Sequence, residues 1–530
     1  MVSDGLLHYR HADYPMGEFW LNSPTHDKPN DMLDAISGAH IYGKNIIQAE
    51  GFTEVRGTWD ETPAQLKPLL DRNYCMGINS LVFHVCTHNP WTDRRPGMTL
   101  DGIGTFFQRD NTWWREMPAF TRYITNCQKM LQQGHPVVDL AVYVGDEVPR
   151  RSILPERLTG ILPGLFGDSI LRREAIRLRN EGQPMETSPV GVNHTRNMTK
   201  AEDWINPLRG YKYDSFNHDV LRGMRVENGE VVTRDGMHYK ALVIPQARKM
   251  NPDNINTGLS EIEALRQQGA IIIDKPWTAS DLSDIGIERD IQLPVGLDYA
   301  HRHDVHEDIY FISNQTDRPV TFEPKARASR NHHYLFDPMK EQFTQAGGSI
   351  TLLPFATVIY RLSDDNLDSL TEKESLPRRS AAIEGEWTIT FESNGIVLTD
   401  TLRRWETYDD PRLRYYSGHV AYEKPFRYKG KGKAWVRLDE VHDIATVYVN
   451  DIPCGTSWMA PHRIDITKAV KRGKNQLRIE VVNTWANALL GTDQGTPPYE
   501  GIWTNGKYQR AEKTPLPAGL GKGVYVESEF

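Results

Sequence analysis

Apolar residues in the first part of the chain alternate between two spacings. From Asp31 to Tyr42, Met32, Ile36, Ala39 and Ile41 recur at helical intervals; Gly43 follows, and then the short β-rich run Asn45–Glu50. The same phrase repeats: Thr62-Pro63 opens a helix carrying Leu66, Leu69, Leu70 and Tyr74, Gly77 closes it, and Ser80–Val85 reads as a strand. Gly17–Leu21 predicts an earlier strand, and Asn111–Gln133 an aromatic-rich helix ended by Gly134. Helix alternating with buried strand is the pattern of an α/β fold, doubly wound or barrel. Only three strands fit into residues 1–134, whereas a closed barrel takes about 250 residues. The pattern therefore predicts either the C-terminal part of a (β/α)8 barrel or a small open sheet.

Three further segments follow. Over 135–295, Val137–Val144 reads as a strand followed by a long polar stretch, and Asp214–Leu221 as a helix start. Tyr239–Pro245 is a strand, Ser260–Glu263 a capping box, and Ala270–Asp274 another buried strand. That order predicts an open, flavodoxin-like α/β sheet. Over 296–380, Asp308–Ser313, Val320–Phe322 and Thr357–Leu362 predict a small antiparallel β domain closed by the polar stretch Ser363–Ser380. Over 381–530, period-two runs at 385–391, 434–438, 445–449 and 476–482, separated by turn signals such as Asn450-Asp451, predict a β-sandwich. The expected whole is a multidomain chain, α/β first and all-β last.

Composition narrows the functional classes. The 62 Lys and Arg against 70 Asp and Glu leave a net charge of −8, which excludes a dominant electrostatic grip on nucleic acid. No apolar run reaches 18 residues, so no membrane span is expected. Cys75, Cys86, Cys127 and Cys454 lack CxxC spacing and read as free thiols rather than a zinc or disulfide framework. There is no GxGxxG and no P-loop, so no nucleotide or organic cofactor is expected. Residues 1–11 lack the basic, apolar, small-residue order of a secretory leader, and the compartment stays undetermined.

Candidate chemistry gathers where the early strands end. Glu50 closes its strand and Glu18 lies in the one before, where α/β enzymes keep acids and bases; either could equally be a cap or an ion-pair partner. His84 and His88 are four apart, but Val85 stands where a metalloprotease needs Glu, and the pattern is strand then loop, so zinc is disfavoured. A polar pocket wall with Trp91 as its apolar face fits better. Trp113-Trp114 either pack between domains or offer flat faces to pyranose rings.

The stretch Ile36–Thr53, with Gly17–Trp20 before it and the segments His84–Trp91 and Phe107–Trp114 after it, resembles the bacterial α-L-rhamnosidases of glycoside hydrolase family 106. Trp485–Gly491, with Val449-Asn450 and Trp458, looks like the galactose-binding-like sandwich of such enzymes. The resemblance implies an inverting hydrolase acting on terminal α-L-rhamnosyl residues of plant or bacterial polysaccharides, with two carboxyl groups about 6.5–9.5 Å apart. It makes Glu50 the base. Glu18 either assists Glu50 or holds a calcium ion, while His84, His88, Trp91, Trp113 and Trp114 line the sugar site. Such enzymes carry earlier barrel strands and a leader, which implies a periplasmic or secreted setting, a general acid on those strands, and a truncated chain or a separate chain supplying them. Two other readings stand beside it: a β-galactosidase-like glycosidase on the same plan, and a non-catalytic carbohydrate-binding remnant.

Overall fold

Short β-rich runs separated by helices fold here as successive neighbours. In the computed structural model the strands Met16–Trp20, Gln48–Thr53 and Ser80–Phe83 lie side by side in that order, with the helices Pro29–Ile41 and Pro63–Met76 between them in sequence. Residues 3–22, 29–55, 57–146, 150–179, 205–245, 258–367, 369–371, 377–506 and 512–530 are described. Parts of the polar stretches expected after Val144 and after Ser363 fall outside them. Among the described residues this first sheet has three strands and does not close into a barrel.

The chain divides into two units interleaved in sequence. The first holds Met1–Gly51, Pro68–Val82 and Asn126–Glu372; the second holds Phe52–Lys67, Phe83–Thr125 and Lys373–Phe530.

In the first unit, a four-stranded parallel sheet has the order Ile271–Ile273, Ala241–Val243, Leu140–Tyr143, Tyr213–Phe216. All four residues of Leu140–Tyr143 are buried. Ala141 and Tyr143 join one apolar cluster with Phe216 and Leu242, while Leu140 and Val142 join another with Ala241 and Val243. A strand covered on both faces reads as a continuous apolar run, as this one does. Asp214–Leu221, expected to begin a helix, is a strand through Phe216 and then a one-turn helix, His218–Leu221. Asn217 makes the break by accepting a hydrogen bond from the Val220 N–H. The helix Leu259–Gln267 forms without the capping box expected at Ser260, whose hydroxyl donates to Glu261 instead.

The same unit contains an antiparallel six-stranded sheet, ordered Gln342–Gln345, His332–Asp337, Thr357–Ser363, Glu307–Asn314, Leu297–His303, His135–Pro136. Glu307–Asn314 is buried along nearly its whole length. Tyr310 and Ile312 enter one apolar cluster, and Phe311 on the opposite face meets Tyr74 edge-on at 5.6 Å.

The second unit is dominated by an antiparallel β-sandwich. One sheet has six strands, Ile396–Asp400, Trp387–Phe391, His419–Tyr428, Gly473–Val482, Ile444–Val449 and Ile452–Ser457; the other has four, Arg379–Ala382, Val524–Ser528, Ala434–Leu438 and His462–Asp465. Their inward residues, among them Ile389, Phe391, Val420, Tyr422, Val436, Val447 and Ile479, form one core. The helix expected from Asn111 begins only at Met117, because Asn111–Glu116 form successive turns and Pro118 is tolerated only in a first helical turn. Among the described residues no helix is long and apolar enough to cross a membrane.

Candidate active site

Glu18 and Glu50 stand on neighbouring strands of the first unit. Their common orientation follows from what packs behind them. A Cβ on Gly51 would lie 2.5 Å from the Phe19 ring and 2.6 Å from Leu81, so Phe19, residue 51 and Leu81 crowd one face, and only glycine fits. Side chains alternate along a strand, so Glu18 and Glu50, each one residue earlier, share the opposite face. Both are half-buried, while Phe19 and Ala49 are buried. The arrangement puts two carboxyl groups on one half-solvated surface.

The aromatic and histidine candidates belong to the second unit. The segment from His84 is tied by its backbone to residues 104–107: the Val85 N–H donates to Thr105 O at 2.7 Å, and the Phe107 N–H to Val85 O at 2.9 Å. His84 is half-buried beside Gly104. His88 is exposed. Trp91 is 37% exposed, lies edge-on to Trp503 at 5.3 Å and has the Arg94 guanidinium over its ring at 4.9 Å.

Trp113 and Trp114 separate, which corrects the expectation that both offer stacking faces. Trp113 is 2% exposed, packs against Phe107, and donates from Nε1 to the Glu61 carbonyl at 3.1 Å. It is a packing residue. Trp114 is 43% exposed and keeps an accessible ring.

Some titratable groups in this unit carry no signal in the sequence pattern. Burial, a hydrogen bond shared with Glu54, and the charges of Glu54 and Asp60 push the Glu61 carboxyl well above the usual range. The Thr58 hydroxyl bridges Asp60 and Glu61. Burial, with Asp60 nearby, raises Asp443 to about 7. Among the described residues no group of three or more His, Cys, Asp or Glu is arranged to hold a metal ion.

Comparison with known proteins gives these features a setting. A family model described as alpha-L-rhamnosidase matches residues 1–175, the region holding Glu18, Glu50 and the His84–Trp114 segments. A second, described as the glycosyl hydrolase 2 galactose-binding domain-like family, matches residues 384–514, the sandwich. The solved rhamnosidase of Novosphingobium sp. PP1Y superposes with a TM-score of 0.78 at 25% identity, covering 99% of this chain and 52% of that one. A Formosa agariphila protein that carries the provisional name beta-glucuronidase is 24% identical, covering 91% of this chain and 61% of its own length. The chain thus has a rhamnosidase-like, multidomain fold with a galactose-binding-like sandwich, and spans between half and two thirds of the length of these relatives.

Proposed function

We propose that this chain serves in an inverting glycoside hydrolase that releases terminal α-L-rhamnosyl residues, with Glu50 as general base and Glu18 as its companion carboxyl group. The observation that carries the reading is the shared face of Glu18 and Glu50 on adjacent strands, inside the segment that matches the rhamnosidase family.

The chemistry follows from inversion. Glu50 takes a proton from a water molecule, whose oxygen attacks the anomeric carbon as the bond to the leaving oxygen breaks, and a protonated carboxyl group gives its proton to that oxygen. Glu18 lies on the same face and either serves as that acid or positions the water for Glu50.

Hydrolysis of an aryl α-L-rhamnoside by the purified chain tests the reading. Glu50→Gln is expected to lower kcat by roughly 100-fold or more, the usual scale for losing a general base. Unchanged turnover in that variant removes Glu50 from the mechanism. The name of the Formosa relative supports a second reading, a β-glucuronidase, and an aryl β-glucuronide assayed in parallel decides between the two.

A further inference from the structure

A cavity of about 510 Å³ opens in the second unit, walled by the 92–115 segment on one side and by turns of the sandwich on the other. We infer that it is a binding site for an uncharged pyranoside, one that neither Glu18 nor Glu50 lines. The inference rests on the reading that the protein works on saccharides. Its volume falls within the range of small-ligand pockets, roughly 300–1,000 Å³.

The wall is polar and already paired. Asp110, itself buried, receives Arg95 at 3.4 Å, Arg109 at 3.2 Å and the Asn89 amide at 2.8 Å. Arg115 grips Glu392 through two hydrogen bonds of 2.9 and 2.6 Å, which hold the Glu392 carboxyl below its usual range. His419, on the cavity wall, hydrogen-bonds Glu116 at 3.0 Å. Asp93 at the mouth pairs with Arg94 at 3.3 Å, and Glu500 is exposed at the rim.

Charge decides the ligand class. Arg95, Arg109 and Arg115 line the cavity with Asp93, Asp110, Glu392 and Glu500, three guanidiniums against four carboxylates. A wall with one carboxylate in excess gives no net attraction to a uronate or a sulfate. It does present oriented N–H donors and carboxylate acceptors in planar pairs, which is what vicinal sugar hydroxyls, each donor and acceptor, require. Trp114 adds an accessible aromatic ring to the same wall, suited to the C–H face of a pyranose. The Trp485 indole, buried below, donates to the Asp110 carbonyl at 2.8 Å and holds the floor in place.

The test uses the full chain carrying Glu50→Gln, so that turnover does not interfere, titrated with methyl α-L-rhamnopyranoside and followed by ligand-observed NMR. Saturable binding is expected. Adding Trp114→Ala, or separately Arg115→Ala, should weaken it by roughly tenfold; both residues are surface-accessible, so the fold should survive. Raising salt from about 50 to about 500 mM should change the affinity by less than about twofold, and methyl β-D-glucuronide should bind no more tightly. No binding, binding indifferent to both cavity variants, or a strong preference for the glucuronide overturns the proposal. The readout needs no hydrolysis, so failure of the rhamnosidase assay and failure of this site are seen separately.

Discussion

At the scale of single residues, the most sharply placed group in the first unit is His301. Asp290 lies 2.9 Å from its Nδ1 and Asp308 3.0 Å from its Nε2, and the ring stacks on Tyr310 at 3.9 Å between centroids. Burial alone would pull the imidazolium down, but the two carboxylates outweigh it and raise the pKa from 6.5 to about 8. A folded-state value above the unfolded one means that the stabilising contribution is full below pH 6.5 and is lost as pH rises through 8. The loss should be about 2 kcal/mol. Urea unfolding across pH 6–9 checks it: the wild type should weaken over that window, and His301→Gln, less stable at the lower end, should lose the step. No sequence signal marked this residue, because its partners stand 11 positions before it and 7 after it and meet only when the strands pair. Glu50 stood out for a local reason, as the carboxylate expected to close a short apolar run; the structure corrects that placement, since the strand Gln48–Thr53 runs on past Glu50.

Elements were legible where a local rule was enough to place them. The parallel strands at 140–143, 241–243 and 271–273 are short apolar runs, and each lies within a run expected from the sequence. The strand Tyr213–Phe216 was missed because Tyr-Asp-Ser-Phe has no apolar run and is followed at once by helix-capping chemistry. That cap is testable. Asn217 accepts from the Val220 N–H at 3.1 Å and donates from Nδ2 to Asp4 at 3.1 Å. Asn217→Ala should therefore destabilise the protein by about 1–2 kcal/mol, measured as a fall in the denaturant midpoint, whereas Asn217→Asp, which keeps the acceptor but faces Asp4, should recover only part of that. A variant as stable as the wild type would show that the one-turn helix is held by its packing alone.

At the scale of the whole molecule, the division of the chain departs from its sequence order. Segments 52–67 and 83–125 belong to the unit of the sandwich, and Trp59 and Phe106 from those segments share an apolar cluster with Trp485, Ala488 and Leu489. A fragment of residues 381–530 therefore looks self-sufficient in sequence yet leaves that cluster half-built. It should bind a hydrophobic dye such as ANS and melt at a lower temperature than the corresponding transition of the full chain, since an apolar face of this kind gains its stability from burial. A fragment that melts with the full chain and binds no dye would show the sandwich to be independent of the inserted segments.

Local physics was enough to read the class of the chain: period-two runs for the sandwich and helix–strand alternation for the α/β part. Those rest on neighbours a few residues apart, and the rhamnosidase-like stretches around Glu50 are contiguous too. Tertiary structure alone decided which tryptophan is open and which is packing, why residue 51 must be glycine, and how the 92–115 segment meets Glu392 and His419 to enclose a cavity. Arg115 and Glu392 are 277 positions apart. Their pairing is a property of the closed fold, which brings opposite charges from distant segments within reach of one another, a proximity that no spacing along the chain records.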